Sequence, residues 1–518
     1  MKKIIALLAV VAIMVSLGTG AFACTGMYVG KEASTDGTTM LVRSVDAHPL
    51  TITSMTVVVD RVEDEPGRIY DGGWTGFTYE LPATTYKYTS TPFTTSLGGG
   101  YDSCCANEMG LAITGTVTAY IRDEIAEMDP AVEGGLSECV IPGLVASCCA
   151  TAREAVQFLG EVIAEKGNTE QNILMIADQN EAWYMETYTG HQWCAVKMPE
   201  DCVAVYGNEF MIGAIDPDSD DVMYSEGLFS MPEEAGLAVY TEDGDMDIFA
   251  TYAGPDRLAN YANRRTWYGH VLLNEQTAGE YSTTTRYPLF YEPAEKVSLI
   301  DAFEVMRSRF EGTQWDPDAN GLINQRVIGT ETQATTHVIQ IYDDLPAEMA
   351  VVSWVSLANS EFSVFLPVSN LTTDVAPAYK LDSEEVEYNP EMASVAFRRL
   401  CALSEQDRTN YGAGVRDFWH SMEEDLVAAY PEVLAAAAEL YADDPDAAAE
   451  YITDYTVNVQ QEAYDDAMLM FDELTWYMIE NTDTLRYSFS YSTLMMSDEL
   501  TQVPYVPSIA ADTSASEG

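Results

Sequence analysis

Cys24 follows Ala21-Phe22-Ala23 directly, at the end of a run that starts with Lys2 and Lys3 and continues through the apolar stretch IIALLAVVAIMVSL. A basic start, an apolar middle and a small-x-small end are the parts of an export signal. Residues 1–23 are therefore expected to be a signal peptide, with Cys24 the first residue of the mature chain. A cysteine in that position carries nucleophile and base together. A free α-amine titrates at roughly 7.7–8.0 and a thiol at roughly 8.5, so the amine can take the thiol proton. A lipoprotein signal also ends before a cysteine, but Ala21 and Phe22 occupy the positions where such signals carry a branched aliphatic residue and then a small or aliphatic one. Lipidation would consume both thiol and amine, so anchor and nucleophile exclude one another.

Two further charged residues stand where a hairpin would bring them to Cys24. TGMYVGK and TTMLVRSV are β-rich runs flanking EASTDG, and Asp36-Gly37 is a strong turn signal. The second strand then returns beside the first with Arg43, which would favour thiolate, and Asp46, which would hold the α-amine. Other catalytic patterns are missing. The chain has 5 histidines and no H-E-x-x-H, GMYVGK lacks one residue of a P-loop, and there is no G-x-S-x-G. His191 and His337 remain as candidate partners for a papain-like thiol, yet neither lies in a supporting motif, and each reads as a packed or surface histidine. The acidic loops DPDSDD, TEDGDMD and YADDPD read as solvated. In the first, Asp221 replaces the glycine and Gly227 the terminal glutamate of an EF-hand loop. No metal and no cofactor is expected.

Composition narrows the partners. With 25 Lys and Arg against 83 Asp and Glu, the net charge of −58 repels phosphate backbones and anionic headgroups, so nucleic acid is excluded as a partner class. The N-terminal apolar run falls short of the roughly 20 residues a spanning helix needs, and no later stretch is long and uncharged enough. Location is expected to be secreted or in the cell envelope. Nine cysteines leave at least one thiol unpaired within the chain, and Cys24 is the obvious one. The other eight lack zinc-site spacing and read as buried thiols or disulfides.

A chain of 518 residues with 47% hydrophobic content exceeds what one core usually serves. SCCANEMGLAITGTVTAY reads as strand, turn, strand, and NILMIAD, AWYMETY, QWCAVKM and CVAVYGN continue the series. TAREAVQFLGEVIAEKG reads as a helix with a Thr151/Glu154 capping box and a Gly167 stop. A second helix is expected in SLIDAFEVMRSRFEG, and THVIQIYDD, MAVVSWVSL and FSVFLPV return to strand. From about Pro390 to Asn481 the pattern is helical, and PSIAADTSASEG reads as a disordered polar tail. Two groups of strands with helices between and after them imply helices on both faces of a sheet sandwich. The expected organisation is signal peptide 1–23, catalytic domain 24–385, helical region 386–485, and an extended segment with a polar tail over 486–518.

CTGMYVGKEASTDGTTMLVRSVD, followed in order by NEMGLAITG, GGLSECVIPGLVASCCATAREAV, AWYMETYTGHQW, DCVAVYGNEFMIGAID, NRRTW, YPLFYEP and TTHVIQ, resembles the dipeptidase A-like cysteine peptidases. These are N-terminal-nucleophile hydrolases related to secernins and, more distantly, to choloylglycine hydrolases and penicillin V acylases. The resemblance runs from Cys24 to about residue 370, and more loosely through the helical region. It implies an α+β fold of the αββα sandwich type and metal-independent hydrolysis of small peptides, and it leaves a homo-oligomer open. Carried over position by position, it implies Cys24 as nucleophile, Arg43 and Asp46 as the R-x-x-D pair, Asn208 in the oxyanion hole, and an active-site arginine at Arg264 or Arg265, with Arg265 preferred. Two departures stand out. TGTVT occupies the place of a second oxyanion asparagine, so that donor would be a backbone N–H near Thr116 or Val117. Ser44 stands where relatives often carry Asn. An N-acyl amide hydrolase of the same superfamily, or a lipid-anchored envelope binding protein, are the alternative functions.

Overall fold

The computed structural model describes residues 24–47, 54–94, 100–117, 121–254, 258, 260–322, 325–380, 389–480, 486–490 and 506–510. The expected signal peptide and the last eight residues lie outside them. In chain order the strands of the two main sheets are β1 (Thr25–Val29), β2 (Thr39–Asp46), β3 (Val57–Val59), β4 (Tyr88–Thr94), β5 (Gly100–Asn107), β6 (Ala112–Val117), β7 (Asn172–Ala177), β8 (Ala182–Thr187), β9 (Trp193–Lys197), β10 (Val203–Tyr206), β11 (Val222–Tyr224), β12 (Gln333–Ile341), β13 (Val351–Leu357) and β14 (Leu366–Ser369). The first sheet has the order β10-β1-β2-β12-β13-β14 and the second β11-β9-β8-β7-β6-β5-β4-β3, every pair being antiparallel. β1 and β2 form the hairpin read from Asp36-Gly37. Gly37 takes φ +82°, a left-handed conformation that glycine adopts without strain, and Asp36 Oδ1 accepts from Thr38 N at 3.1 Å.

Strand periodicity divides the apolar residues between layers. Met27, Val29, Met40 and Val42 point outward and pack on helices α3 (Asn260–Ala278) and α4 (Leu299–Arg307), through Trp267, Tyr268, Phe303 and Met306. Tyr28, Leu41, Ile339 and Val351 point inward against Ala106, Ile173, Met175 and Tyr184 of the second sheet. That sheet's outer face carries Ile113, Leu174, Ile176 and Met185, covered by Leu144 and Val145 of α1 (Ile141–Cys148) and by Val156, Leu159 and Ile163 of α2 (Ala152–Lys166). The layers are thus α, β, β, α, as the sandwich expectation requires.

The helix signals act as read, with one local difference. Thr151 Oγ1 accepts from Glu154 N at 3.2 Å and Gly167 ends α2 with φ +72°, but the Glu154 carboxylate bonds Ala150 N at 2.8 Å instead of returning to Thr151. α4 closes a full capping box between Ser298 and Asp301. Helices α5 (Ala393–Ser404), α6 (Gly412–Asp443) and α7 (Pro445–Glu480) follow the sheets and build a further core on Phe362, Phe397, Leu400, Trp419 and Ala463. The buried pair Arg307–Glu423, with bonds of 2.8 and 2.6 Å, ties α6 to α4. At the start of the stretch read as a disordered polar tail, where no strand is expected, Val506–Ala510 pairs antiparallel with Arg486–Ser490. The register sets Ile509 opposite Tyr487 and Pro507 opposite Phe489. Among the described residues no helix is long and apolar enough to cross a membrane.

Candidate active site

The β1–β2 ladder pairs Thr25 with Ser44 and Gly26 with Arg43, so the residue that opens β1 lies at the mouth of the hairpin. Cys24 is fully buried there. Ser44 accepts from Thr25 N through its hydroxyl at 3.2 Å and thereby fixes the backbone next to the cysteine. Arg43 and Asp46 are three residues apart, and odd spacing in a strand sends side chains to opposite faces. Arg43 points between the sheets and Asp46 toward the helical layer.

Arg43 is 1% exposed, and both of its terminal nitrogens are engaged. Its Nη2 donates to Cys24 Sγ at 3.2 Å and to Tyr101 Oη at 3.1 Å, and pairs with the Glu138 carboxylate; its Nη1 donates to Ser103 O at 3.1 Å. Burial works against the guanidinium charge, but Cys24, Tyr101 and Glu138 outweigh it and hold Arg43 well above the ordinary arginine range. On the other face Asp46, 2% exposed, pairs through Oδ2 with Arg326. Burial raises the Asp46 carboxyl, opposed by the charges of Arg326 and Arg265. Its Oδ1 is buried and has no hydrogen-bond partner among the described residues.

The second strand flanking β1 brings Asn208, because β10 pairs with β1 and ends at Tyr206, two residues before it. Arg265 reaches the same point from α3. It donates from Nη1 to Cys24 O at 2.6 Å and Thr25 Oγ1 at 2.8 Å, from Nη2 to Asn208 Oδ1 at 2.9 Å, and from Nε to Tyr261 O at 3.1 Å. One planar fork therefore joins the backbone of the cysteine to the amide of Asn208. Burial and the nearby Arg326 pull Arg265 down to about 9. Gly207 makes the approach possible, since a Cβ there would stand 2.8 Å from Ala262 Cα and 2.9 Å from Arg265 Nη2. Gly26 does the same for Tyr206, whose ring lies across β1 where any side chain would collide.

The remaining sequence candidates fall outside this cluster or at its edge. Arg264 turns away: it stacks over Trp315 and Tyr281 and donates to Gln325 Oε1 at 3.0 Å. His337 sits opposite Arg43 in the β2–β12 ladder, with Nε2 2.8 Å from Thr114 Oγ1, and burial holds it well below the usual histidine range. His191, 42% exposed, bonds Asp129 with Nδ1 at 2.7 Å in the turn between β8 and β9. Among the described residues the β5–β6 ladder ends at the Cys104–Thr114 pair, while Thr116 and Val117 pair with β7. All nine cysteines are unpaired as disulfides. In the acidic loops, Asp247 and Asp444 accept from the first turns of the helices that follow them.

Sequence reasoning missed Glu138, Tyr101, Arg326 and Glu186. Glu186 is fully buried on β8 and accepts from Tyr188 Oη at 2.8 Å, Tyr184 Oη at 3.0 Å, Met211 N at 2.5 Å and Ile212 N at 3.3 Å, which pins the loop running on from Asn208. Burial outweighs these four donors and pushes its carboxyl up to about 7. A charged residue inside the apolar run AWYMETY was the one available signal.

Residues 23–421 match peptidase family C69. The chain belongs to that family. Among curated relatives it is 30% identical over 453 residues to a protein named probable dipeptidase B from Streptococcus pyogenes serotype M1, covering 84% of this chain and 89% of that one. It is 32% identical over 368 residues to a probable dipeptidase from Latilactobacillus sakei, covering 69% and 76% respectively. Among solved structures, penicillin V acylase from Agrobacterium tumefaciens is similar at 13% identity over 67% of this chain and 86% of that chain with a TM-score of 0.27, too distant to bear on chemistry.

Proposed function

We propose that this chain is an exported cysteine dipeptidase, secreted or held in the cell envelope, whose nucleophile is Cys24 freed at its α-amine by removal of residues 1–23. One observation carries the reading: Arg43 touches Cys24 Sγ while Arg265 binds the Cys24 carbonyl and the Asn208 amide at once. Three side chains from separate elements are thus organised around one buried thiol. Membership of family C69 and relatives named dipeptidase support the substrate class.

The α-amine takes the thiol proton, and the thiolate attacks the peptide carbonyl carbon. The oxyanion that forms accepts from Asn208 and from a backbone N–H near Thr116 or Val117. The ammonium returns its proton to the leaving amine as the C–N bond breaks, which leaves a thioester on Cys24. Water, deprotonated by the same amine, then releases the acid. Asp46 Oδ1, buried without a partner, is the acceptor for the ammonium in this scheme. Kinetics on a panel of dipeptides and N-acyl amino acids test the proposal: dipeptides should be cleaved with the higher kcat/KM. Cleavage of N-acyl amino acids alone would replace it with an acylase, and a diacylglyceryl adduct on Cys24 in the intact mass of the exported protein would exclude both.

A further inference from the structure

Arg43 Nη2 carries two N–H groups, yet three acceptors crowd it: Cys24 Sγ, Tyr101 Oη and the Glu138 carboxylate. Sulfur and carboxylate therefore compete for one nitrogen. Glu138 does not come from either sheet. It lies in the segment leading into α1, which is clamped to the end of α2 by Leu136 N to Gly167 O at 2.7 Å, Thr169 N to Leu136 O at 2.9 Å and Glu138 N to Glu170 Oε1 at 2.9 Å. The clamp delivers a carboxylate that is 1% exposed to the Arg43 guanidinium, which contacts the sulfur. Burying a charge is unfavourable unless it is paired, so its presence there needs a reason beyond packing.

We propose that Glu138 is a positioning residue for the Cys24 reaction: it holds the Arg43 fork in place and neutralises its charge, so that Arg43 orients the sulfur without trapping the thiolate. An unpaired guanidinium at 3.2 Å would stabilise the ground-state thiolate, and a thiolate of lowered basicity is a weaker nucleophile. With Glu138 bonded to the same nitrogen, the hold on sulfur is partial, and the electron pair stays available for attack. The role rests on Cys24 being the nucleophile.

The test reads the rate of Cys24 alkylation by iodoacetamide against pH, located by peptide mapping, alongside kcat and KM for a dipeptide. The titratable groups around Glu138 are Cys24, Arg43, Tyr101, Cys139 and Glu170. Burial and Glu138 push Glu170 up to about 7, so each profile is repeated in a Glu170→Gln background. Glu138→Gln removes a negative neighbour of the sulfur, and the alkylation midpoint should fall by about one unit or more. Its kcat should fall about 10- to 100-fold with KM little changed. Glu138→Asp keeps the charge, so its midpoint should stay at the wild-type value while kcat falls. A Glu138→Gln midpoint coincident with wild type overturns the proposal. If that variant does not fold, Glu138→Asp decides: a lowered kcat with an unmoved midpoint supports the role, and an unchanged kcat overturns it. Wild-type protein that cleaves no dipeptide, with the midpoint shift intact, would instead sink the dipeptidase reading and leave Glu138 its role.

Discussion

Replacing Arg265 by Met tests whether the arginine acts by aiming Asn208. Arg265 is 0% exposed and binds Asn208 Oδ1 at 2.9 Å and Cys24 O at 2.6 Å. Losing one oxyanion donor costs about 10²- to 10³-fold in kcat, or about 3 to 4 kcal/mol. If Arg265 works by fixing the Asn208 amide, Arg265→Met should lose about as much as Asn208→Ala. The double variant should then be little worse than either single one, a coupling of about 3 kcal/mol. Independent roles would instead multiply to about 10⁴- to 10⁶-fold. Stability should change little by comparison. Met removes the Arg265 donors from three carbonyl oxygens and a hydroxyl, but it also removes a buried cation that burial and Arg326 already pull down to about 9, so the net change should stay within about 2 kcal/mol. The assay is kcat on a dipeptide for the four proteins, with urea unfolding as the stability control. Multiplicative losses, or an Arg265→Met enzyme within about threefold of wild type, would refute the coupling between the two residues.

Asp46→Asn should lower kcat by about 10²-fold or more and also weaken the fold by about 2 kcal/mol, because Arg326 and Arg265 then face each other across a neutral amide; kcat and urea midpoints check both. Glu186 sets a pH dependence of stability. Its folded carboxyl titrates at about 7 against 4.5 without burial, so between those values the folded chain keeps a proton that the unfolded chain has released. Its contribution is therefore full at low pH and falls by about 3 kcal/mol as pH rises from 4.5 to 7, and Glu186→Gln should remove that share of the slope in urea unfolding measured from pH 5 to 8. Identical slopes for the two proteins would contradict it. Excess EDTA should leave dipeptide hydrolysis intact while iodoacetamide abolishes it; loss with EDTA that zinc restores would overturn the thiol mechanism.

What the sequence revealed of this site follows the range of the signals. The β1–β2 hairpin is local: strand periodicity and Asp36-Gly37 bring Arg43 and Asp46 to Cys24 with no tertiary information. Arg264 and Arg265 are adjacent, and only the packing of α3 on β10 decides which faces the cysteine. α3 and α1 gave no helical period because their residues near the site are buried on nearly every side, which removes the polar stripe that marks an amphipathic helix. Glu138 and Arg326 meet their partners at separations of 95 and 280 residues, and in a chain with 83 acidic residues one more glutamate in a loop reads as solvated. Ser44 looked like a departure from a family pattern, and its role as acceptor for Thr25 N depends on the strand register.

The nitrogen of Cys24 offers the most direct measurement. In the precursor it is an amide with no basicity; after cleavage it becomes an amine that can take the thiol proton. Two chains should be compared for melting temperature and dipeptide hydrolysis, one beginning at Cys24 and one carrying a single uncleavable residue before it. Equal melting temperatures are expected, with hydrolysis confined to the chain that begins at Cys24. Equal hydrolysis in both would mean that another group, His337 or His191, removes the thiol proton, and the N-terminal-nucleophile mechanism would be wrong for this protein.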